Sequence, residues 1–69
     1  MAAAVYIVTL STTVREFRQR LRAIEGAAVV QELPHERVVV TLPGPALMPR
    51  LAGLEGVRAV VPDRLERPH

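Results

Sequence analysis

The amino-acid sequence predicts an α+β domain in which the elements follow the order β-α-β-β-α-β. An internal repeat is the first observation, because IVTL at residues 7–10 is matched by VVTL at residues 39–42, and IEG at residues 24–26 is matched by LEG at residues 54–56. The second is an amphipathic helix pattern between the matched segments of the first half. The third is Pro34-His35-Glu36, a turn sequence between the halves. Each half is therefore predicted to form a strand, a helix and a second strand.

The first helix is predicted over residues 13–25. Its apolar residues recur at helical spacing and form one stripe: Val14, Phe17, Leu21 and Ile24. Thr13, followed three residues later by Glu16, has the pattern of a capping box at a helix start. Gly26 lies where a left-handed residue favours helix termination. We therefore expect both ends of this helix to be well defined.

The second helix is predicted to be short. Its apolar stripe consists of Leu47, Leu51 and Leu54. Pro45 and Pro49 limit it, since a proline inside a helix removes a backbone hydrogen bond and clashes with the preceding turn. We expect this helix to start near Pro49 or to be broken there.

This order is typical of the ferredoxin-like fold, a four-stranded antiparallel sheet with two helices on one face. The two matched runs, which are the most apolar, are expected to form the central strands. The other face of the sheet is then left without a cover, and we call it the open face. The domain is predicted to span residues 1–64, with residues 65–69 as a C-terminal tail.

Strand alternation predicts which side chains lie on the open face. Val8, Leu10, Val40 and Leu42 are expected to face the helices. The apolar residues predicted on the open face are Ile7, Val30, Val39 and Val60, and the polar residues predicted around them are Thr9, Thr41, Glu32, Arg37 and Arg58. An apolar centre with a polar rim is typical of a protein interface. The alternatives are ordinary strand-forming valines with no partner, and a monomer that forms a weak homodimer through this face.

Length and composition favour a small domain with a protein partner. A chain of 69 residues buries only about 60% of its unfolded surface, so a partner would add to a marginal stability. The formal net charge is only +2, which is weak evidence for nucleic acid, and the absence of cysteine excludes disulfides and thiolate metal sites.

The N-terminal segment has no basic region and is too short to span a membrane, so no membrane association is expected. If Met1 is the natural start, the cytoplasm is the expected compartment, whereas an excised propeptide would be secreted with its protease.

No catalytic constellation is visible in the sequence. Ser11 is the single serine, and the histidines lie in the predicted turn and at the terminus, so His35 is expected to be solvated. The dispersed carboxylates give no metal-ligand spacing. We therefore predict a protein that is not an enzyme and needs no metal or other cofactor.

Nucleic-acid binding is also not predicted. RNA-binding domains with this strand order stack bases on aromatic residues of the central strands, whereas these strands contain only Tyr6, which is expected to face inward. Arg15, Arg18 and Arg22 lie on one flank of the first helix, and a phosphate-binding stripe is the alternative interpretation. We favour a solvated helix face, partly paired through Glu16 and Arg20.

Several segments together resemble the subtilisin propeptide-like protease inhibitor family, which comprises propeptides of subtilisin-type serine proteases and free-standing inhibitors. The segments are VYIVTL at the start, GAAVVQEL after the first helix, and LMPRLAGLEGVRAVVPD before the tail. The most specific element is Val57, Val60 and Asp63, which is similar to the family's closing pattern of two valines and an acidic residue. Nearly the whole domain is covered by this resemblance.

The resemblance implies a non-enzymatic inhibitor or intramolecular chaperone of a subtilisin-type serine protease. In that family the open face packs on two surface helices of the protease, and an acidic residue, here Asp63, caps their N-termini. The tail would occupy the active-site cleft as an added strand; it consists of Leu65, Glu66, Arg67, Pro68 and His69. The alternative is a small ferredoxin-like adaptor or chaperone that binds a signal or precursor peptide on its sheet.

Overall fold

A computed structural model describes residues 4–63 of the chain and confirms the predicted α+β fold. The strands are β1 (Ala4–Leu10), β2 (Ala28–Leu33), β3 (Arg37–Leu42) and β4 (Val57–Pro62). The helices are α1 (Val14–Leu21), a short 3₁₀ turn (Pro45–Leu47) and α2 (Met48–Ala52). Between residues 4 and 63, no helix combines the length and the apolar character that a membrane crossing needs.

The four strands form one antiparallel sheet in the order β2-β3-β1-β4. The repeated segments are thus the two central strands, as predicted, and Ile7 lies directly opposite Val39. Central strands are covered on both edges and bury one full face, which suits runs of β-branched residues. The result is the ferredoxin-like topology.

The hydrophobic core lies between the sheet and the two helices. Its buried residues are Tyr6, Val8, Leu10, Phe17, Leu21, Ile24, Val38, Val40, Leu42 and Leu51. The four residues predicted to face the helices are all among them. Both helices pack on the same face of the sheet, so the opposite face has no cover within residues 4–63.

Helix α1 begins where the sequence predicts and ends four residues earlier. The Thr13 hydroxyl accepts a hydrogen bond from the backbone N–H of Glu16 at 3.1 Å, which satisfies one free donor of the first turn. After Leu21 the chain continues in tighter turns, and the Ile24 N–H donates to the Leu21 carbonyl at 2.9 Å. These turns keep Ile24 on the core side, so the apolar stripe extends beyond the helix itself.

Helix α2 has five residues, in agreement with the predicted short helix. Pro49 stands in its first turn, where the missing N–H costs no helical bond. Leu51 is fully buried and anchors the helix to the core, with Leu47 and Leu54 packed around it.

Candidate protein-interaction surface

The open face carries an apolar row that crosses the sheet. Strand register places Gln31, Val39, Ile7 and Val61 side by side, one from each strand. Residues opposite each other in an antiparallel pair point to the same face, so these four side chains form a continuous line. Val61 is 50% exposed, and Ile7 and Val39 are half-buried by their neighbours. Three of the four residues are apolar, with the polar Gln31 at the β2 end, and two of them, Ile7 and Val39, belong to the apolar centre that the sequence predicts.

Three of the five polar residues predicted around the row flank it, namely Thr9, Arg37 and Thr41. On one side Thr9 pairs with Arg37 and lies opposite Ala59 of β4. On the other side Thr41 pairs with Val5 and Ala28. The open face is therefore an apolar stripe with a polar rim, of the composition found at protein interfaces.

The prediction that Val60 lies on this face is wrong. Val60 pairs with the fully buried Val8 and packs against the core, so it faces the helices. The reason is a β-bulge: Arg58 is an extra residue between Ala59 and Val57, and it shifts the alternation of β4 by one position. Arg58 is exposed at the bulge itself, and Val61 takes the place opposite Ile7.

The prediction that Glu32 lies on the open face is also wrong. Glu32 pairs with the fully buried Val38, and its carboxylate lies 3.6 Å from the Arg18 guanidinium of α1, on the helix side. A second bulge in β2, where Val30 is the extra residue beside Gln31, causes the shift. Val30 is 57% exposed. The sequence did not predict that Gln31 and Val61 lie on the open face, because consecutive valines fit either face and do not show where a bulge changes the alternation.

Asp63 follows directly after β4 and is half-buried. Its backbone N–H donates to the Val5 carbonyl at 2.9 Å, so its position is fixed against β1. The five predicted tail residues, 65–69, lie outside the described residues.

Other predicted features can be located as well. Arg20 lies 3.9 Å from Glu16, which confirms that predicted pair, and 4.0 Å from Glu55. Ser11 and His35 are exposed, and Tyr6 faces inward as predicted. Across residues 4–63, the acidic, histidine and cysteine side chains form no group of three or more that could hold a metal ion.

Comparison of the chain with protein-family models, with curated proteins and with solved structures gives no match. The ferredoxin-like topology hosts many unrelated functions, so the topology alone indicates none of them. A functional proposal therefore has to be argued from the surface of this chain.

Proposed function

We propose that this protein is an inhibitor or intramolecular chaperone of a subtilisin-type serine protease. The open face binds the protease surface, and the C-terminal tail enters the active-site cleft. The observation that carries the proposal is the apolar row ending at the exposed Val61, with Asp63 two residues further on. Val61 lies in the edge strand β4, and Asp63 follows that strand directly.

The row supports docking of a folded partner because its centre is apolar and lies on the two central strands of the sheet. Ile7 and Val39 belong to the central strands, and their backbones are held by hydrogen bonds on both sides. Burial of such side chains contributes about 25 cal/mol per Å² of apolar surface, and a partner would add this to the marginal stability of a small domain.

Asp63 supports the proposal through its charge and its position. A carboxylate is favourable at a helix N-terminus, where it meets free backbone N–H groups and the positive end of the helix dipole. The hydrogen bond from its N–H to Val5 fixes the backbone of Asp63 before any partner binds. We propose that its side chain caps a surface helix of the protease.

The tail is long enough for the proposed role. Six residues follow Asp63 in the sequence, and an extended chain of that length spans about 20 Å. Leu65, Glu66, Arg67, Pro68 and His69 would then lie along the cleft as an added strand, with His69 nearest the catalytic serine.

Deletion of residues 65–69 tests this mechanism. The full chain should inhibit a broad-specificity subtilisin in a steady-state assay, and the shortened chain should lose that inhibition. Equal melting temperatures of the two chains would show that the domain remains folded. Mass spectrometry of the reaction mixture should show the full chain intact or cleaved within the tail alone. Retained inhibition by the shortened chain would contradict a tail that occupies the cleft.

The second candidate is an adaptor or chaperone that binds a peptide on its sheet. The exposed apolar row favours it as well, but this function needs no tail. Rapid degradation of the full chain without any inhibition, across subtilisins of different specificity, would favour this candidate.

A further inference from the structure

A groove runs along the outer flank of α1, between this helix and the edge strand β2. It consists of two adjoining depressions of about 370 and 310 Å³, which share Arg18 and Arg22 as lining residues. Val14, Leu21 and Val29 supply the apolar part of the lining. This α1–β2 groove lies mainly on the helix side of the sheet, and it meets the open face only at Ala28 of the edge strand.

The groove carries an excess of positive charge. Arg15, Arg18 and Arg22 line it, against a single carboxylate, that of Glu32. The Arg18–Glu32 pair is 3.6 Å long and more than half exposed on both sides, so it is weak. Within residues 4–63, Arg15 and Arg22 form no ion pair. An anionic ligand could therefore pair with the guanidinium groups of Arg15 and Arg22, and with that of Arg18 once its weak pair with Glu32 breaks.

The strand beside the groove has a free backbone edge. β2 is the outermost strand of the sheet, and in the part of the chain that the structure describes, Ala28–Leu33 hydrogen-bonds through its backbone only to β3. The N–H and C=O groups on its outer side are therefore available to another strand. A free strand edge beside a helix suits the addition of an extended peptide.

We propose that the α1–β2 groove binds an extended acidic peptide, which adds to β2 as a further strand. Alternate residues of a strand are about 6.7 Å apart and share a face. Arg18 and Arg22 are about 6 Å apart along the helix axis, and Arg15 extends the series to about 10.5 Å. A peptide with Asp or Glu at every second position thus presents its carboxylates to the arginines while its backbone bonds to β2.

A peptide suits this site better than a nucleic acid does. Single-stranded nucleic acids bind through aromatic side chains as well as through basic ones. The two aromatic residues of the chain are Tyr6 and Phe17, and they are 6% and 0% exposed. The groove offers charge and a strand edge, and neither of its described depressions is lined by an aromatic side chain.

Titration of the isotope-labelled full chain with a peptide of alternating Thr and Glu, followed by NMR, tests the proposal. The largest chemical-shift changes of backbone amides should fall in Ala28–Leu33, and the Nε–H signals of Arg18 and Arg22 should also shift. The same peptide with Lys in place of Glu should cause neither change. Shifts spread over the whole chain, or absent from β2, would overturn the proposal.

Four variants separate the site from general charge effects. Arg15→Gln combined with Arg22→Gln should weaken binding about five-fold, whereas Arg50→Gln on the exposed side of α2 should leave it unchanged. Glu32→Gln removes the competing carboxylate and should tighten binding about three-fold. Glu55 lies outside the groove, so Glu55→Gln should leave peptide binding unchanged. An equal response to Arg50→Gln or Glu55→Gln would refute a specific groove.

Two further results would also overturn the proposal. Tighter binding of a single-stranded oligonucleotide at the same arginines, without shifts in β2, would assign the groove to a phosphate backbone. Concentration-dependent dimers that lose the peptide response would assign the edge of β2 to a second copy of this chain. The protease assay depends on residues 65–69 and on Val61, whereas this titration depends on the arginines of α1 and the edge of β2, so the two experiments can fail independently.

Discussion

Two glycines hold equivalent places in the two halves of the repeat, just before β2 and β4. Gly26 has φ +85° and Gly56 has φ +94°, a conformation that other residues rarely adopt. An ideal Cβ on Gly56 would lie 2.5 Å from Cγ2 of Thr12, and one on Gly26 would lie 2.5 Å from Cγ of Pro43. Gly26 therefore lets the chain turn close against Pro43, which follows β3, and Gly56 lets it turn close against Thr12, which follows β1.

Gly56→Ala should destabilise the domain by about 2 kcal/mol or more, because it adds backbone strain to a clash with Thr12. For a domain of this size such a loss lowers the melting temperature by on the order of 10 °C, which thermal unfolding measures directly. Gly44→Ala is the matched control, since φ is −168° there and no atom lies within 4 Å of the new Cβ. Equal melting temperatures of the two variants would contradict this explanation.

At the scale of the elements, the sequence predicts well wherever a local rule acts. The cap at Thr13, the left-handed glycine after the first helix and the short second helix near Pro49 each follow from one residue type at one position. The two bulges could not be predicted this way. Each depends on how an edge strand meets its neighbour, and valines at both parities of β2 and β4 fit either face equally well. The central part of the open face was therefore predictable, whereas its edges, Gln31 and Val61, were not.

The β2–β3 turn offers a test of a second local rule. His35 and Glu36 both have positive φ, 64° and 59°, in the three-residue connection between the paired Leu33 and Arg37, and positive φ favours glycine. Glu36→Gly should stabilise the domain by about 0.5–1 kcal/mol, since relief of strain exceeds the added freedom of the unfolded chain. Chemical denaturation measures this gain. Glu25→Gly, at an exposed turn position without positive φ, should give no gain, and a similar increase there would argue against the turn as the cause.

At the scale of the whole molecule, neighbouring residues of β4 serve opposite faces of one sheet. Val60 is partly buried and packs against the core on the helix side, whereas Val61 is half exposed on the open face. A charge at either position therefore separates the stability of the domain from the binding of its partner. Val60→Arg should lower the melting temperature, because it sets a charge against the core where the partly buried Val60 now packs.

Val61→Arg should leave the melting temperature nearly unchanged and weaken inhibition of subtilisin at least about ten-fold, since the charge would be placed on the apolar row of the proposed interface. Ala52→Arg adds the same charge to an exposed position of α2, on the covered side of the sheet, and should inhibit like the unmodified chain. Melting curves of both variants, measured beside their inhibition constants, distinguish a lost interface from a lost fold. If Val61→Arg still inhibited fully, the open face would carry ordinary strand valines, and any inhibition would have to come from the tail alone.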